Sequence, residues 1–566
     1  MAPVFGQKTY GVWTQASEGA ADFETRMLAK QDTLGLLVSS ADNGGVNSAS
    51  AQLVADSATA VAQGVGLTLK PGTYHLTTSV TFACGVVIPA GVIFLRDAGV
   101  TLTFNGWVFA SRSNHFTGTG NVTFGPGAIA IAYAEWYGFG ATATDTANGG
   151  AIDAAILSNA PEVLLPSGSY SYSGNGISID RAIRFGGTGS CGGDGNATGN
   201  PGAATTKLTY TGTGVGLTLV GSGTEGKENL HVHDLSLWGT ASAAGGVQLG
   251  SSVLVTKGSC KNLHIRGFTK VGAWGYRYAK VLSWVSQNVY CQANYDGFAN
   301  LSGDVATTIY EANCMSRSNV RFGRYIAGFF ETGQFDRPLA EGNGDAAWCF
   351  EGNGIHDVDI DNNHSEANNG TSGTAPLQIG LNANSGGTGV SSTIRFWGGG
   401  FYDAVAGRTV DSDYASAVAF HDVSWTSTVA GAWRATAHTK DCSYNHQSAT
   451  IYEGMVAGNT PDGVAVLAQG SHGFERFTLA GAGATKSVGF AGTVLLTDLT
   501  NDRVALVRFA VNRHVAQILN DVDAFCHVGS GNAGTVNLDY SSGFFIQNST
   551  AGSIDFMAEV ISNRHL

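Results

Sequence analysis

Apolar residues first recur at helical spacing in "ADFETRMLAKQDTLGLLV". Phe23, Met27, Leu28 and Leu34 lie near one face and Asp22 is placed as an N-cap, so the patch predicts a short amphipathic helix inside an N-terminal segment, residues 1–45. From about Leu67 the period changes to two. "GLTLKPGTYHLTTSVTF" alternates and turns at Pro71-Gly72, "GVVIPAGVIFLRDAGVTLTF" and "GTGNVTFG" follow, and the pattern returns in "EVLLPSGSYSYSGNGISI". Between the copies, Thr144 or Asp145 caps a short helix carrying Ile152, Ala155 and Ile156 on one face. Strand-like runs such as "YDGFAN", "VRFGRYIAGFF" and "AAWCFEG" continue to "HDVSW", where the pattern fades. From about Ser471 a new alternation runs to the end and predicts an antiparallel β-sandwich of about 95 residues.

Composition sharpens this all-β picture. The 566 residues exceed one compact core, so several domains are expected. Eighty glycines with only 10 prolines and no Gly-X-Y period suit many short strands and tight turns. A net charge of −13 argues against binding a phosphate backbone, so no nucleic-acid partner is expected. "MAPVFGQKTYGVW" has neither a charged n-region nor an apolar h-region, which predicts no signal peptide and synthesis in a cytoplasm. No 18-residue apolar run is present, so no membrane insertion is expected. Cysteines 84, 191, 260, 291, 314, 349, 442 and 526 show no C-x-x-C pair and no zinc spacing, and read as buried free thiols. No metal and no cofactor are expected.

The order Trp136-Tyr137-Gly138-Phe139-Gly140-Ala141, then Asp145-Thr146, an Ala-rich helix, and Leu165-Pro166-x-Gly168-x-Tyr170 resembles the opening of pectate-lyase-like right-handed parallel β-helices. It looks most like that of bacteriophage tailspikes. Thr144-Asp145-Thr146 departs from the usual pattern by lacking a second aspartate. The resemblance covers roughly residues 65–450. It implies a β-rich head joining the virion tail or baseplate over 46–135 and a right-handed parallel β-helix with a polysaccharide groove over 136–455. The sandwich, 470–566, would cap the solenoid and form a homotrimer. A virion protein that binds a bacterial surface polysaccharide, O-antigen or capsule, is what the resemblance implies.

The chain also carries its own repeat. Asn294, Asn319, Asn343 and Asn368 are spaced by 25, 24 and 25 residues, a coil length suited to a solenoid. Stacked asparagines pair their amides along such an axis. Two residues before each comes the column Gln292, Arg317, Glu341, Glu366, and Asp336 and Asp361 repeat at the same step. Coils rise about 4.8 Å, so same-column carboxyls would lie anywhere from about 4 to 10 Å apart, which spans both geometries of glycoside hydrolysis. Like charges directly opposite are destabilising in sheets. Glu341, Glu366, Asp336 and Asp361 are therefore the candidate catalytic acids of an endo-glycosidase, one protonating the leaving oxygen and another activating water or attacking. Solvated turn acids are the competing reading.

From Leu282 to Asp403 there are thirteen acids, five arginines and no lysine. Arg317 and His364 keep β-elimination open as a lyase alternative, and a non-catalytic adhesin is the second. Trp348, Trp397 and Tyr402, with Asp403 following, are candidate sugar-contacting residues beside Arg317 and His364; coil-interior packing competes for each aromatic. The stretch 369–392 lengthens one coil by about a dozen residues, as groove-walling insertions do.

Overall fold

The computed structural model describes residues 36–190, 205–221, 227–351 and 354–368, and strand segments between Leu377 and Asn563. The chain is nearly all β and forms a right-handed parallel β-solenoid. It divides into two compact units, Met1–Pro166 and Ser167–Leu566.

In the first unit three short parallel sheets repeat. Gly72–Leu76 pairs with Val92–Arg96 and then Phe116–Gly118, while Val80–Phe82, Thr101–Phe104 and Asn121–Phe124 stack beside them. Aromatic columns fill the interior: the Phe82 and Phe104 rings are 5.2 Å apart, and those of Phe104 and Phe124 5.5 Å. The helix Asp145–Leu157 forms as its sequence predicts. Thr144 Oγ1 accepts from the Ala147 N–H at 3.2 Å, and Ile152, Ala155 and Ile156 are buried. A further helix, Ser50–Gln63, buries Leu53 and Ala60 and ends on left-handed Gly64. The N-terminal patch read as helical lies outside the described residues, except that its end, Leu36–Val38, is a strand paired with Gly66–Thr68.

In the second unit each complete coil contributes one short strand and a long bent side, which is a single strand or, at Val305–Ala312 with Met315–Arg317 and at Phe329–Asp336 with Leu339–Glu341, two strands in succession. Long strands include Val255–Arg266, Lys280–Gln292 and Gly354–Glu366; the short ones include Trp274–Tyr278, Asp296–Asn300 and Ala346–Phe350. Sharp bends come from single residues at positive φ. One column is Asn229, Lys257, Ser283, Thr308, Thr332 and Asp357; five residues on in each coil lies Asp234, Asn262, Asn288, Asn313, Arg337 and Asn362. Asparagine and aspartate tolerate this conformation better than other residues with a Cβ, which accounts for their excess in the second column.

Inside, Asn294, Asn319, Asn343 and Asn368 form the ladder their spacing predicts. Asn319 Nδ2 donates to Asn343 Oδ1 at 2.8 Å, and Asn343 Nδ2 donates to Asn368 Oδ1 at 2.7 Å. Each Oδ1 of these two acceptors also receives the backbone N–H of the asparagine one coil before it. All four are buried, so the ladder satisfies amides and backbone that water cannot reach. A buried ion pair spans the interior nearby: Arg324 Nη2 lies 3.0 Å from Glu311 Oε2, which also accepts at its other oxygen from the Tyr278 hydroxyl. Cys84, Cys260, Cys291, Cys314 and Cys349 are free and buried, as read from the sequence.

At the C-terminal end the described strands make two five-stranded sheets, mostly antiparallel. No helix among the described residues is long and apolar enough to cross a membrane.

Asn343→Ala should remove a donor and an acceptor from the ladder, stranding the Asn319 backbone N–H and one Nδ2 hydrogen and taking a donor from the Ser316 carbonyl. Each stranded buried group costs about 1–3 kcal/mol, so a loss of about 3 kcal/mol or more is expected in denaturant unfolding. Asn288→Gly, on the exposed bend column, should cost less than about 1 kcal/mol because glycine keeps the backbone conformation.

Candidate functional site

The ladder fixes what stacks beside it. Gln292 pairs with Arg317, Arg317 with Glu341, Glu341 with Glu366, and Glu366 with Tyr402. One bend away, Ala312, Asp336, Asp361 and Trp397 form a second column in the same order. Both predicted carboxylate columns therefore exist in register. Each continues, one coil on, into an aromatic residue that is about two-fifths exposed: Tyr402 at 38% and Trp397 at 41%. The last step is 36 residues rather than 25, so the coil is lengthened as expected; 369–376 and 380–389 lie outside the described residues. Asp403 does too.

The two glutamates are not a bare pair of like charges. Arg317 Nη2 lies 3.1 Å from Glu341 Oε1, and His364 Nε2 lies 3.2 Å from Glu366 Oε2. The His364 ring is 5.3 Å from that of Tyr402, so Glu366, His364 and Tyr402 form one exposed cluster. The Arg317 cation on one side lowers the cost of stacking these acids.

In the aspartate column Asp336 is held by Arg337, whose Nη2 is 3.1 Å from its Oδ2. Asp361 is different. Partial burial, then the charges of Asp359 and Asp336, push its carboxyl above the ordinary aspartate range, against a hydrogen bond from Gln334. Asp359 goes the other way: the Arg395 guanidinium grips both its oxygens, and Trp397 Nε1 donates to Oδ1 at 3.1 Å, holding it below the usual range. Two carboxylates two residues apart thus have pKa values driven in opposite directions, the pattern that separates acid and base roles. The sequence reading missed Asp359 as a partner and had Arg395 only as one of five arginines. "DVDID" contained the signal, since acids at alternate strand positions share a face.

One predicted sugar contact is overturned. Trp348 is fully buried, with Nε1 donating to Asn363 Oδ1 at 2.9 Å and the Arg324 guanidinium 4.7 Å from its ring. It belongs to the coil interior, filling the column that also holds Tyr276, Phe298 and Arg324. Among the described residues no group of three or more His, Cys, Asp and Glu side chains is placed to hold a metal ion.

No protein-family model and no curated protein matches the chain. Solved structures similar to it include ORF18 of Geobacillus virus E2 (14% identity, 77% of this chain and 86% of that one, TM-score 0.34). They also include the tailspike protein of Acinetobacter phage vB_ApiP_P1 (13%, 76% and 87%, TM-score 0.32). A third is the mannuronan C-5 epimerase AlgE4 A-module of Azotobacter vinelandii (15%, 52% and 97%, TM-score 0.32). At such TM-scores these likenesses assign no chemistry, and the solenoid stands on the chain's own strand pairing.

Because Asp361 has a higher pKa folded than unfolded, the stability it contributes is present below the unfolded value and is lost as pH rises through the folded one. Asp361→Asn should therefore raise the melting temperature at neutral pH, on the order of 1 °C for so exposed a group, and leave it unchanged near about pH 3. Calorimetry at the two pH values checks the sign.

Proposed function

We propose that this protein is a phage tailspike whose solenoid binds a bacterial surface polysaccharide, O-antigen or capsule, and cuts it as an endo-acting glycoside hydrolase. In this reading it is a homotrimer in the virion tail. Residues 1–45 and the β-rich stretch 46–135 attach it, 136–455 carry the groove, and 470–566 cap and trimerise. The observation that supports the reading best is the repetition itself: two acid columns, each running in register into an exposed aromatic ring. Aromatic faces offer large apolar area with a polar edge, which suits a sugar ring, and carboxylates one coil beneath suit the acid and base of glycoside hydrolysis.

Within that scheme Asp361, with its raised pKa, is suited to protonate the leaving oxygen, since a general acid works best when its pKa approaches the working pH. Partial burial raises it first, and Asp359, saturated by Arg395 and Trp397, adds a fixed negative charge beside it. Glu341 and Glu366 remain candidates for the base or nucleophile, and for the acid.

Conservative amide substitutions test the assignment. Glu341→Gln, Glu366→Gln, Asp336→Asn and Asp361→Asn keep size while removing the ionisable group. At least one glutamate variant should lose about 10²–10⁴-fold in polysaccharide cleavage, with oligosaccharide affinity kept within about tenfold. Four variants that cleave like wild type would remove these columns from the mechanism. Fragments with an unsaturated, ultraviolet-absorbing end would instead establish a lyase acting through Arg317 and His364, and a wild-type protein that shortens no polysaccharide would be an adhesin.

A further inference from the structure

The glutamate column does not begin at Gln292. Continued toward the N-terminus it runs through Arg266 and Trp238, while the neighbouring column two residues earlier runs through Tyr290, His264 and Ser236 to Lys207. This half of the face has the opposite character. Lys207 Nζ sits 3.6 Å from the centre of the Trp238 ring, and the Arg266 guanidinium lies 5.2 Å from the same ring. Tyr290 stacks on His264 at 4.8 Å, and His264 Nε2 donates to Gln292 Oε1 at 3.2 Å. Arg317 then closes the strip at the first glutamate.

Two features make this more than surface decoration. The part-buried Arg266 guanidinium has no carboxylate partner among the described residues; its polar contact is Gln292 Oε1 at 3.5 Å. The buried Trp238 Nε1 donor likewise has no hydrogen-bond partner there. Cation and donor are thus held in place by stacking, with no anion supplied to them by the described residues. The same division is written along the axis: residues 205–292 contain eight Lys and Arg against three Asp and Glu, and residues 293–366 contain four against twelve. In a chain of net charge −13, a run of cationic coils gives a local field that draws an anion to one end of the face.

We propose that the polysaccharide bound on this face is acidic, and that Arg266 holds the carboxylate of a sugar acid beside Tyr290 and Gln292, with Arg317, two coils on, adding its positive charge to the strip. The inference rests on the reading of this face as a polysaccharide site and adds the class of substrate. Coil rises of about 4.8 Å set the two guanidiniums roughly 10 Å apart along the axis. A chain laid along the columns then meets cations first and the acids Glu341 and Glu366 next. Guanidinium forks suit carboxylates because two parallel hydrogen bonds fix both position and plane.

The test uses the full chain and an array of purified bacterial capsular and O-antigen polysaccharides, acidic and neutral. Each one bound is measured before and after carbodiimide–borohydride reduction of its carboxyl groups. The bound polysaccharide should carry a carboxylate, and its reduced form should bind wild type at least about tenfold more weakly, as expected for a lost charge-assisted hydrogen bond. Arg266→Gln should weaken binding of the native polymer by a similar factor and leave binding of the reduced polymer unchanged. A neutral bound polysaccharide, one whose only acid is phosphate, an affinity indifferent to reduction, or an Arg266→Gln loss equal on both polymers would overturn the inference. Carboxyl dependence is read on the unaltered protein, so a poorly folding variant does not decide the matter. Loss of carboxyl dependence with cleavage intact overturns this inference alone, whereas an array on which nothing binds removes the polysaccharide reading as well.

Discussion

Buried amides that pair along the solenoid axis hold this structure in register. Each of Asn294, Asn319 and Asn343 takes the next asparagine's Oδ1 as acceptor for both its backbone N–H and its own Nδ2. A slip of one residue would bury strand carbonyls against apolar side chains and leave four amides unsatisfied. The face outside is a consequence. Once the ladder is set, Glu341 must lie over Glu366 and Asp336 over Asp361, whatever the charges prefer.

Those charges are then managed locally and unequally. Arg317 compensates Glu341, His364 faces Glu366, Arg337 holds Asp336 and Arg395 saturates Asp359. Asp361 is left with the least compensation and the raised pKa. A fold selected for stability alone gains nothing from such a residue, because stacked acids and a partly desolvated carboxyl both oppose folding at neutral pH. Toward the N-terminus the opposite imbalance appears, with Arg266 lacking a carboxylate among the described residues. One continuous set of columns thus changes from uncompensated cation to crowded acid within four coils.

Much of this was legible in the sequence because parallel stacking converts a constant spacing into a column. The 24–25-residue steps gave the ladder, both carboxylate columns and the lengthened coil, and the Thr144 cap gave the helix that follows it. What stayed hidden has one main cause. Each positive-φ residue resets the inward–outward alternation, so parity cannot be carried across Thr332, Arg337 or Gly342. In the short strand Ala346–Phe350 every residue is buried, and nothing in "AAWCF" marks Trp348 as interior. The same problem disguised Arg324 and Glu311, which belong to the core despite counting among the charges of an acid-rich stretch. Helix Ser50–Gln63 was missed for another reason: its buried face, Ser50, Leu53, Asp56, Ser57 and Ala60, is mostly small or polar and does not read as an apolar stripe.

In the proposed function, the ladder-set columns are the surface that meets the polysaccharide. A crystal structure of the Glu366→Gln variant with a bound oligosaccharide fragment tests it most directly. Sugar rings are expected over Tyr402 and Trp397, with a glycosidic oxygen within hydrogen-bond reach of a carboxyl from Glu341 or Asp361. A fragment seated on the opposite short-strand sheet or on the C-terminal sheets, with these columns open to water, would contradict it.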